Sequence, residues 1–131
     1  MIVVDASVVV AALTDSAAAG EAARRVLGAG GAMHVPDLFD LEVVSAARRL
    51  WLSATLGRDE FEWLAVVASR LPARRWAAHP FIERITALAA NVTPYDAAYV
   101  ALAEFVSAPL FTFDTRLAAA PGSQCEIRLV S

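Results

Sequence analysis

Short runs of β-branched and apolar residues alternate with helix-like stretches along the whole of this chain. The first run is Ile2–Val4, and later ones include Met33–Val35 and Leu110–Phe113. Each run is closed by an acidic residue or a proline, as expected for a short buried strand. Helix-like stretches lie between the runs, and crossovers of a dozen or more residues are what parallel strands require. The alternation therefore predicts an α/β layered domain with a mostly parallel sheet.

The predicted elements follow one another without a linker, an internal repeat or a low-complexity tract. Strands are predicted at Ile2–Val4, Met33–Val35, Ala73–Ala77, Leu110–Phe113 and Glu126–Val130. Helices are predicted at Ala6–Leu13, Ala17–Leu27, Leu38–Leu56, Arg58–Leu71, Pro80–Ala90, Tyr95–Ser107 and Thr115–Ala119. Gly57 and Pro72 are the predicted stops of the third and fourth helices. We expect one domain over residues 1–131, with a central sheet of four or five strands flanked by helices.

Composition indicates a globular protein with one core. Of the 131 residues, 58% are hydrophobic, above the roughly 45–50% of ordinary globular chains, and we ascribe the excess to core and partner-covered surface. No uncharged stretch is long enough to span a membrane, and the N-terminus lacks the basic start of a signal peptide. We therefore expect a cytoplasmic protein. The single cysteine, Cys125, has no partner for a disulfide or metal site, which favours a small semi-buried hydrophobe.

The charge pattern excludes a simple electrostatic nucleic-acid binder. The formal net charge is −3, and all eleven basic residues are arginine. Contact with RNA would then need a local arginine cluster or bound cations. Arginine binds phosphate as a rigid fork, although coding bias equally explains the absence of lysine. Arg74 and Arg75, followed by Trp76, are able to stack on RNA, but such pairs are typical of solvated surfaces.

Four acidic residues occupy similar positions in the predicted map. Asp5 and Asp114 each follow a strand, and Asp96 lies in the first turn of the helix near Tyr95. Glu42 lies near the start of the long helix that follows the second strand. In open parallel sheets, ligands bind outside the carboxyl ends of the strands. We therefore expect the four acids to meet at that edge.

Helix capping offers another explanation for three of these acids. Asp5 and Asp114 are well placed to be N-caps of the helices that follow them. The sequence Thr93–Asp96 has the pattern of a capping box, with proline at the first helical position. Taken singly, each of these acids therefore has a structural role that needs no ligand.

Glu42 could simply favour the positive end of its helix, but it is the acid that such a local role explains least. Asp37, with Asp40 three residues on, is better placed to cap its helix. Glu42 lies within the apolar stretch Leu41–Val44, where an unpaired carboxylate is unusual. Several carboxylates in one crevice raise one another's pKa values, and a hard divalent cation removes that penalty. Mg²⁺ takes oxygen ligands and can activate water for attack at phosphorus.

Four stretches carry a more specific pattern than charge alone. They are Val3–Ser7, Pro36 with Leu41–Val43, Thr93–Ala103 and Leu110–Leu117. In this order and spacing they resemble the PIN-domain family, and within it the VapC-like toxin ribonucleases of VapBC toxin–antitoxin systems. The resemblance covers essentially the whole chain. Its most specific parts are Tyr-Asp-Ala-Ala-Tyr, which begins at Tyr95, and Thr-x-Asp-x-Arg-Leu, which begins at Thr112.

The resemblance implies a PIN-like fold and cleavage of RNA by a water that Mg²⁺ or Mn²⁺ activates, leaving 5′-phosphate and 3′-hydroxyl ends. It also implies inhibition by a VapB-like antitoxin, and we expect the chain to form a homodimer. The family's catalytic, metal-binding acids match Asp5, Glu42, Asp96 and Asp114. Ser7 and Thr112 match hydroxyl positions expected to orient the carboxylates or water. Arg116 is expected to contact RNA phosphate or the antitoxin, or to be an ordinary surface arginine.

Other functions remain open at this stage. A PIN-type RNA-processing nuclease without an antitoxin would share these residues, and a catalytically silent dimeric binding module would use the acids only as caps. A phosphoacceptor receiver needs an acidic pair at the first strand and a late lysine, and the chain has neither. A haloacid-dehalogenase-like phosphatase needs a second aspartate where Ser7 lies. His34 and His79 form no ligand pattern, so a histidine-dependent ribonuclease is disfavoured.

The region from 50 to 64 is unusually apolar. Its large side chains are Leu50, Trp51, Leu52, Leu56, Phe61 and Trp63. Two interpretations fit this composition. An antitoxin segment could lie in an apolar groove there, or the residues could form ordinary core together with a homodimer face.

Overall fold

The computed structural model of the protein describes residues 1–131 and contains five strands and seven α-helices. The strands are β1 (Ile2–Val4), β2 (Met33–Pro36), β3 (Ala73–Trp76), β4 (Leu110–Thr112) and β5 (Ile127–Leu129). The helices are α1 (Ala6–Thr14), α2 (Ala18–Gly28), α3 (Phe39–Leu52), α4 (Arg58–Ser69), α5 (Ile82–Ala87), α6 (Pro94–Val106) and α7 (Thr115–Ala119). None of these helices combines the length and apolar character needed to cross a membrane.

The five strands form one sheet in the order β3-β2-β1-β4-β5, and every neighbouring pair is parallel. The predicted α/β fold with a five-stranded sheet flanked by helices is therefore confirmed. β1 lies at the centre, with Val3 in register with both His34 of β2 and Leu110 of β4. Because all strands run the same way, their carboxyl ends share one edge, and the chain segments after β1, β2 and β4 begin there.

Helices cover both faces of the sheet, as buried parallel strands require. Val4 and Val35 point into a core shared with α1 to α4, whereas Val3 and Leu110 point into a second core shared with α5 to α7. The side chains of adjacent β1 residues thus point to opposite faces of the sheet, which follows from the two-residue period of a strand. The middle of α6, Ala97 to Ala103, is buried, and the helix packs along β1, β2 and β4.

The α3–α4 connection differs from the prediction. α3 ends at Leu52 rather than Leu56, and Ala54 takes a left-handed backbone conformation with φ 61°. Leu56 then turns back into the core. Gly57 does not stop α3, because it is the N-cap of α4, where its N–H donates to Glu60 Oε1 at 3.1 Å. Burying Leu56 and capping α4 at Gly57 together stabilise the fold more than extending α3 would.

The predicted capping of α3 by Asp37 is wrong. Asp37 is exposed, and its N–H donates to the Trp76 carbonyl oxygen at 2.8 Å, so the chain is still paired with β3 at this point. Asp40 instead accepts a bidentate pair from Arg75, at 2.6 and 2.9 Å. The Arg75 guanidinium also donates to carbonyl oxygens at the end of α4, including that of Ser69 at 3.1 Å. The Arg75 guanidinium thus connects β3 to both α3 and α4.

Two other predicted segments are refined by the structure. The helix expected over Pro80–Ala90 is shorter, with a 3₁₀ turn at His79–Phe81 followed by α5. In the apolar region 50–64, Leu56 and Leu64 are buried core residues, whereas Leu52 and Trp63 are exposed. The region therefore supplies both core and an uncovered apolar surface.

His34 is a buried histidine whose ring accepts a hydrogen bond. The indole Nε1–H of Trp76 donates to His34 Nδ1 at 3.0 Å, so Nδ1 carries no proton. Burial is the main cause that lowers the pKa of His34, and the positive charges of Arg74 and the N-terminus add to it. Protonation would place a charge inside the protein and remove the acceptor that Trp76 uses.

This environment predicts a loss of stability in mild acid. The unfolded His34 takes up a proton as the pH falls through about 6.5, whereas the folded side chain resists protonation. The free energy of unfolding should therefore decrease below about pH 6.5 and stop decreasing once the lower folded pKa is passed. His34→Gln keeps an acceptor for Trp76 but does not titrate. Urea unfolding between pH 7.5 and 5 should show a shallower loss for the variant, with exposed His79→Gln as control. Parallel pH profiles for wild type and His34→Gln would contradict this account.

Candidate active site

A buried threonine connects two of the predicted acids. Thr112 is fully buried at the end of β4, and its hydroxyl donates to Asp5 Oδ2 at 2.8 Å. The same hydroxyl oxygen accepts from the Asp114 N–H at 3.0 Å. Because β1 and β4 are neighbours, one side chain thereby holds the residues that follow both strands. Thr112 thus lies beside Asp5 and Asp114, and its expected role in orienting them stays a prediction.

Asp5 and Asp114 also cap the helices that follow them. Asp5 Oδ1 accepts from the Ser7 N–H at 3.1 Å. Asp114 Oδ1 accepts from the N–H groups of Arg116 and Leu117 at 2.8 and 3.3 Å. Capping and a site role are compatible here, because each carboxylate has a second oxygen and further lone pairs available.

Ser7 lies directly beside Asp5, as predicted, but its hydroxyl has a separate property. Ser7 Oγ is buried and has no hydrogen-bond partner in the protein. A buried hydroxyl without a partner is costly and rare. Its position next to Asp5 fits a site that gains a ligand atom or an ordered water when it is occupied.

The carboxylate of Glu42 accepts a hydrogen bond from a tyrosine of α6. The Tyr99 hydroxyl donates to Glu42 Oε1 at 2.6 Å, and the tyrosine is only 1% exposed. α3 begins after β2 and α6 packs across β1 and β2, so this bond joins elements far apart in sequence. Burial, followed by the charge and hydrogen bond of Glu42, raises the pKa of Tyr99, so the hydroxyl keeps its proton and acts as the donor.

Asp96 sits in the first turn of α6, in the place that the capping pattern predicts. Thr93 is the N-cap, and its Oγ1 accepts from the Asp96 N–H at 3.2 Å. Pro94 occupies the first helical position, where no N–H is needed. The cap fixes the Asp96 backbone and leaves its half-buried carboxylate at the start of the helix.

The four acids form one electrostatic group. Burial is the largest cause that raises the pKa of Glu42, and the charges of Asp5 and Asp96 raise it further. Burial likewise raises the pKa of Asp96, with added repulsion from Asp5 and Asp114. The structure thus brings all four predicted acids to the carboxyl edge of the sheet, where they repel one another.

The donor set fits a hard divalent cation. Carboxylate and hydroxyl oxygens are the ligands Mg²⁺ and Mn²⁺ prefer, and the partnerless Ser7 hydroxyl lies beside Asp5. As they stand, no three acidic, histidine or cysteine side chains are gathered closely enough to enclose an ion. Hydrogen bonds from Thr112 and Tyr99 hold Asp5 and Glu42, and repulsion opposes closer approach of the carboxylates.

Two residues beside the acids are not among the sequence-predicted site residues. Tyr99 was missed, although a tyrosine in an otherwise apolar, alanine-rich helix signals a hydroxyl that needs a partner. Asn91 lines a cleft with Asp96, Asp114 and Arg116. Its sequence neighbourhood gives no such signal, because it lies in the turn between α5 and α6. Arg116 lies on this cleft, at the exposed start of α7.

Comparison with known proteins agrees with this architecture. The family model of the PIN domain matches residues 2–123. Ribonuclease VapC12 of Mycobacterium tuberculosis is 41% identical over 133 aligned positions, covering 100% of each chain. The crystal structure of VapC20 of the same organism, described as a sarcin–ricin loop cleaving toxin, gives a TM-score of 0.72 at 15% identity and covers 91% of this chain and 94% of that one.

A toxin–antitoxin complex from Klebsiella pneumoniae has the same fold, with a TM-score of 0.69 at 16% identity over 100% of this chain and 97% of that chain. The family match spans nearly the whole sequence, and the identity to VapC12 extends over its full length. The chain therefore belongs to the PIN-domain family and, within it, to the VapC ribonucleases.

Proposed function

We propose that this chain is a Mg²⁺-dependent endoribonuclease that acts in the cytoplasm as the toxin of a toxin–antitoxin pair. The observation that carries the proposal is the gathering of Asp5, Glu42, Asp96 and Asp114 at one edge of the sheet, with the pKa values of Glu42 and Asp96 raised. Ribonucleases of this family generally depend on a divalent metal. Oxygen ligands suit Mg²⁺ foremost, and Mn²⁺ is the alternative.

In this proposal Asp5, Asp96 and Asp114 hold the cation, and Glu42 binds it directly or through water. The bound cation would supply activation of water and neutralisation of charge at the scissile phosphate. The protein's own contribution is to present the carboxylates in a fixed arrangement before substrate arrives. Each carboxylate that stays ionised here lowers the cost of binding the cation.

Thr112 and Tyr99 are the positioning residues of this arrangement. Thr112 restrains Asp5 and the Asp114 backbone through one hydroxyl. Tyr99 restrains Glu42 and, by donating a hydrogen bond to its carboxylate, favours the ionised form against the effect of burial. Groups of this kind orient metal ligands and are typically worth roughly 10–100-fold in metal affinity or activity.

Two observations support a protein partner. The Klebsiella pneumoniae structure with this fold is a toxin–antitoxin complex. Trp63 and Val66 of α4 are 53% and 46% exposed and lie three residues apart, so they share a helix face. Exposed apolar clusters of this kind mark interaction sites. We propose that a VapB-like antitoxin inhibits the enzyme and that two copies of the chain form a homodimer.

Substitution of the acids by their amides separates capping from metal binding. Asparagine caps a helix as well as aspartate does, so Asp5→Asn and Asp114→Asn should keep the fold. Cleavage of total RNA by purified protein with Mg²⁺ should fall by more than the roughly 10–100-fold typical of losing a supporting group. EDTA should abolish cleavage by the wild type.

Asp59→Asn is the matched control, because Asp59 is exposed in the first turn of α4 and loses the same charge. This variant should cut RNA like the wild type. Circular dichroism would verify that all variants are folded. Cleavage retained within about threefold in Asp5→Asn would show that Asp5 is a cap and not a metal ligand.

Removal of one hydroxyl tests the positioning of Glu42. Tyr99→Phe leaves a half-buried carboxylate without its donor, which should lower the free energy of unfolding by about 1–3 kcal/mol. Cleavage should fall about 10–100-fold, and the Mg²⁺ concentration for half-maximal cleavage should rise. Tyr95→Phe removes the same atom from an exposed residue of the same helix and should change none of these three quantities. Equal Mg²⁺ dependence in both variants would rule out this role for Tyr99.

A further inference from the structure

An arginine of β3 is hydrogen-bonded to the first turn of α3. Arg75 donates to both carboxylate oxygens of Asp40, through Nε at 2.6 Å and through Nη2 at 2.9 Å. The two side chains are only 26% and 32% exposed. A bidentate, partly buried pair of this kind is stronger than a surface ion pair and fixes the relative orientation of its members. Asp40 lies two residues before Glu42 in the same turn, so the pair acts next to a proposed metal ligand.

The guanidinium of Arg75 is itself fixed by the main chain. Four carbonyl oxygens accept from Nη1 and Nη2 at distances between 3.1 and 3.3 Å, those of Ala68, Ser69, Leu71 and Ala73. Two of them belong to the end of α4, where carbonyl oxygens lack partners within the helix. Because these acceptors are backbone atoms, Arg75 holds Asp40 against a rigid frame and not against another mobile side chain.

The first turn of α3 lacks the usual side-chain cap. Its N-cap residue is Leu38, which makes no side-chain hydrogen bond to the helix. Successive helical residues are rotated by about 100°, so Asp40 and Glu42 project in directions about 200° apart. Tyr99 holds Glu42 on one side of the turn, and Arg75 holds Asp40 on the nearly opposite side. The orientation of this turn therefore depends on both contacts.

We propose that Arg75 is a further positioning residue of the active site, which orients the Glu42 carboxylate by fixing Asp40 and the first turn of α3. This inference rests on the proposed ribonuclease function. Arg75 touches neither the substrate nor the reacting atoms, and it acts through Asp40 alone. A lysine does not reproduce the planar donor fork that binds both carboxylate oxygens and the surrounding carbonyl oxygens together.

The test compares Arg75→Lys with Arg84→Lys. Both substitutions keep the positive charge, so a change in the Mg²⁺ response does not come from net charge. Arg84 forms a similar bidentate pair with Glu104, at 2.7 and 2.9 Å, and also donates to a backbone carbonyl oxygen. Glu104 lies near the end of α6, whereas Asp96 lies in the first turn of that helix. Both variants should unfold at a lower urea concentration than the wild type, but only Arg75→Lys should bind Mg²⁺ more weakly.

Two measurements follow the Mg²⁺ response. The Mg²⁺ concentration for half-maximal cleavage of total RNA should rise about tenfold in Arg75→Lys, as is typical when a group that orients a metal ligand is lost. Saturating Mg²⁺ should restore most of the cleavage rate. Millimolar Mg²⁺ should also raise the melting temperature of Arg75→Lys less than that of the wild type. Arg84→Lys should show the wild-type response in both measurements.

A second pair of variants changes the carboxylates and again conserves charge. Asp40→Glu should reproduce the weaker Mg²⁺ response of Arg75→Lys, whereas Glu104→Asp should not. This pair provides the test if Arg75→Lys fails to fold.

A wild-type Mg²⁺ response in Arg75→Lys and Asp40→Glu would overturn the proposal. An equal weakening in Arg84→Lys and Glu104→Asp would also overturn it, because the effect would then follow from lost stability alone. The melting measurement needs no RNA and so tests Arg75 independently of cleavage. If Mg²⁺ changes neither cleavage by the wild type nor its melting temperature, the proposed function itself fails and this inference falls with it.

Discussion

The hydroxyl of Thr112 joins the central strand β1 to its neighbour β4 at the point where the chemistry is expected. It donates to Asp5 after β1 and accepts from the backbone of Asp114 after β4. This bridge exists only because β1 and β4 are parallel neighbours whose carboxyl ends coincide. Glu42 and Asp96 reach the same edge because α3 begins after β2 and α6 begins there before packing back along the sheet. Strand direction is therefore the constraint on which the site depends.

A site built in this way carries an electrostatic penalty. Burial and mutual repulsion raise the pKa values of Glu42 and Asp96, so part of the folding free energy is spent on holding carboxylates together. Hydrogen bonds from Thr112 and Tyr99 offset this cost without removing charge. The proposed cation would remove this electrostatic penalty by neutralising the carboxylates.

Local sequence patterns predicted much of this arrangement, because they depend on local physics. The alternation of elements indicates parallel strands, and Thr93, Asp5 and Asp114 carry capping signals that the structure confirms. Contacts between distant segments were not predictable in the same way. Asp40 was predicted to act only within the first turn of its own helix, but its carboxylate pairs with Arg75, 35 residues away. The hydrogen bond between Glu42 and Tyr99 spans 57 residues. Leu56 and Gly57 were misassigned because burial in tertiary structure decided where α3 ends.

The most direct test of the carboxylate site is the thermal stability of wild type and Asp96→Asn, with EDTA and with Mg²⁺. The amide removes one of the repelling charges, so with EDTA the variant should melt at the same temperature as wild type or higher. Millimolar Mg²⁺ should raise the melting temperature of the wild type through binding to the folded state and raise that of the variant much less. With Mg²⁺ the wild type should therefore melt at a higher temperature than Asp96→Asn. An equal shift in both proteins, or no shift in the wild type, would contradict the assignment of these acids to a metal site.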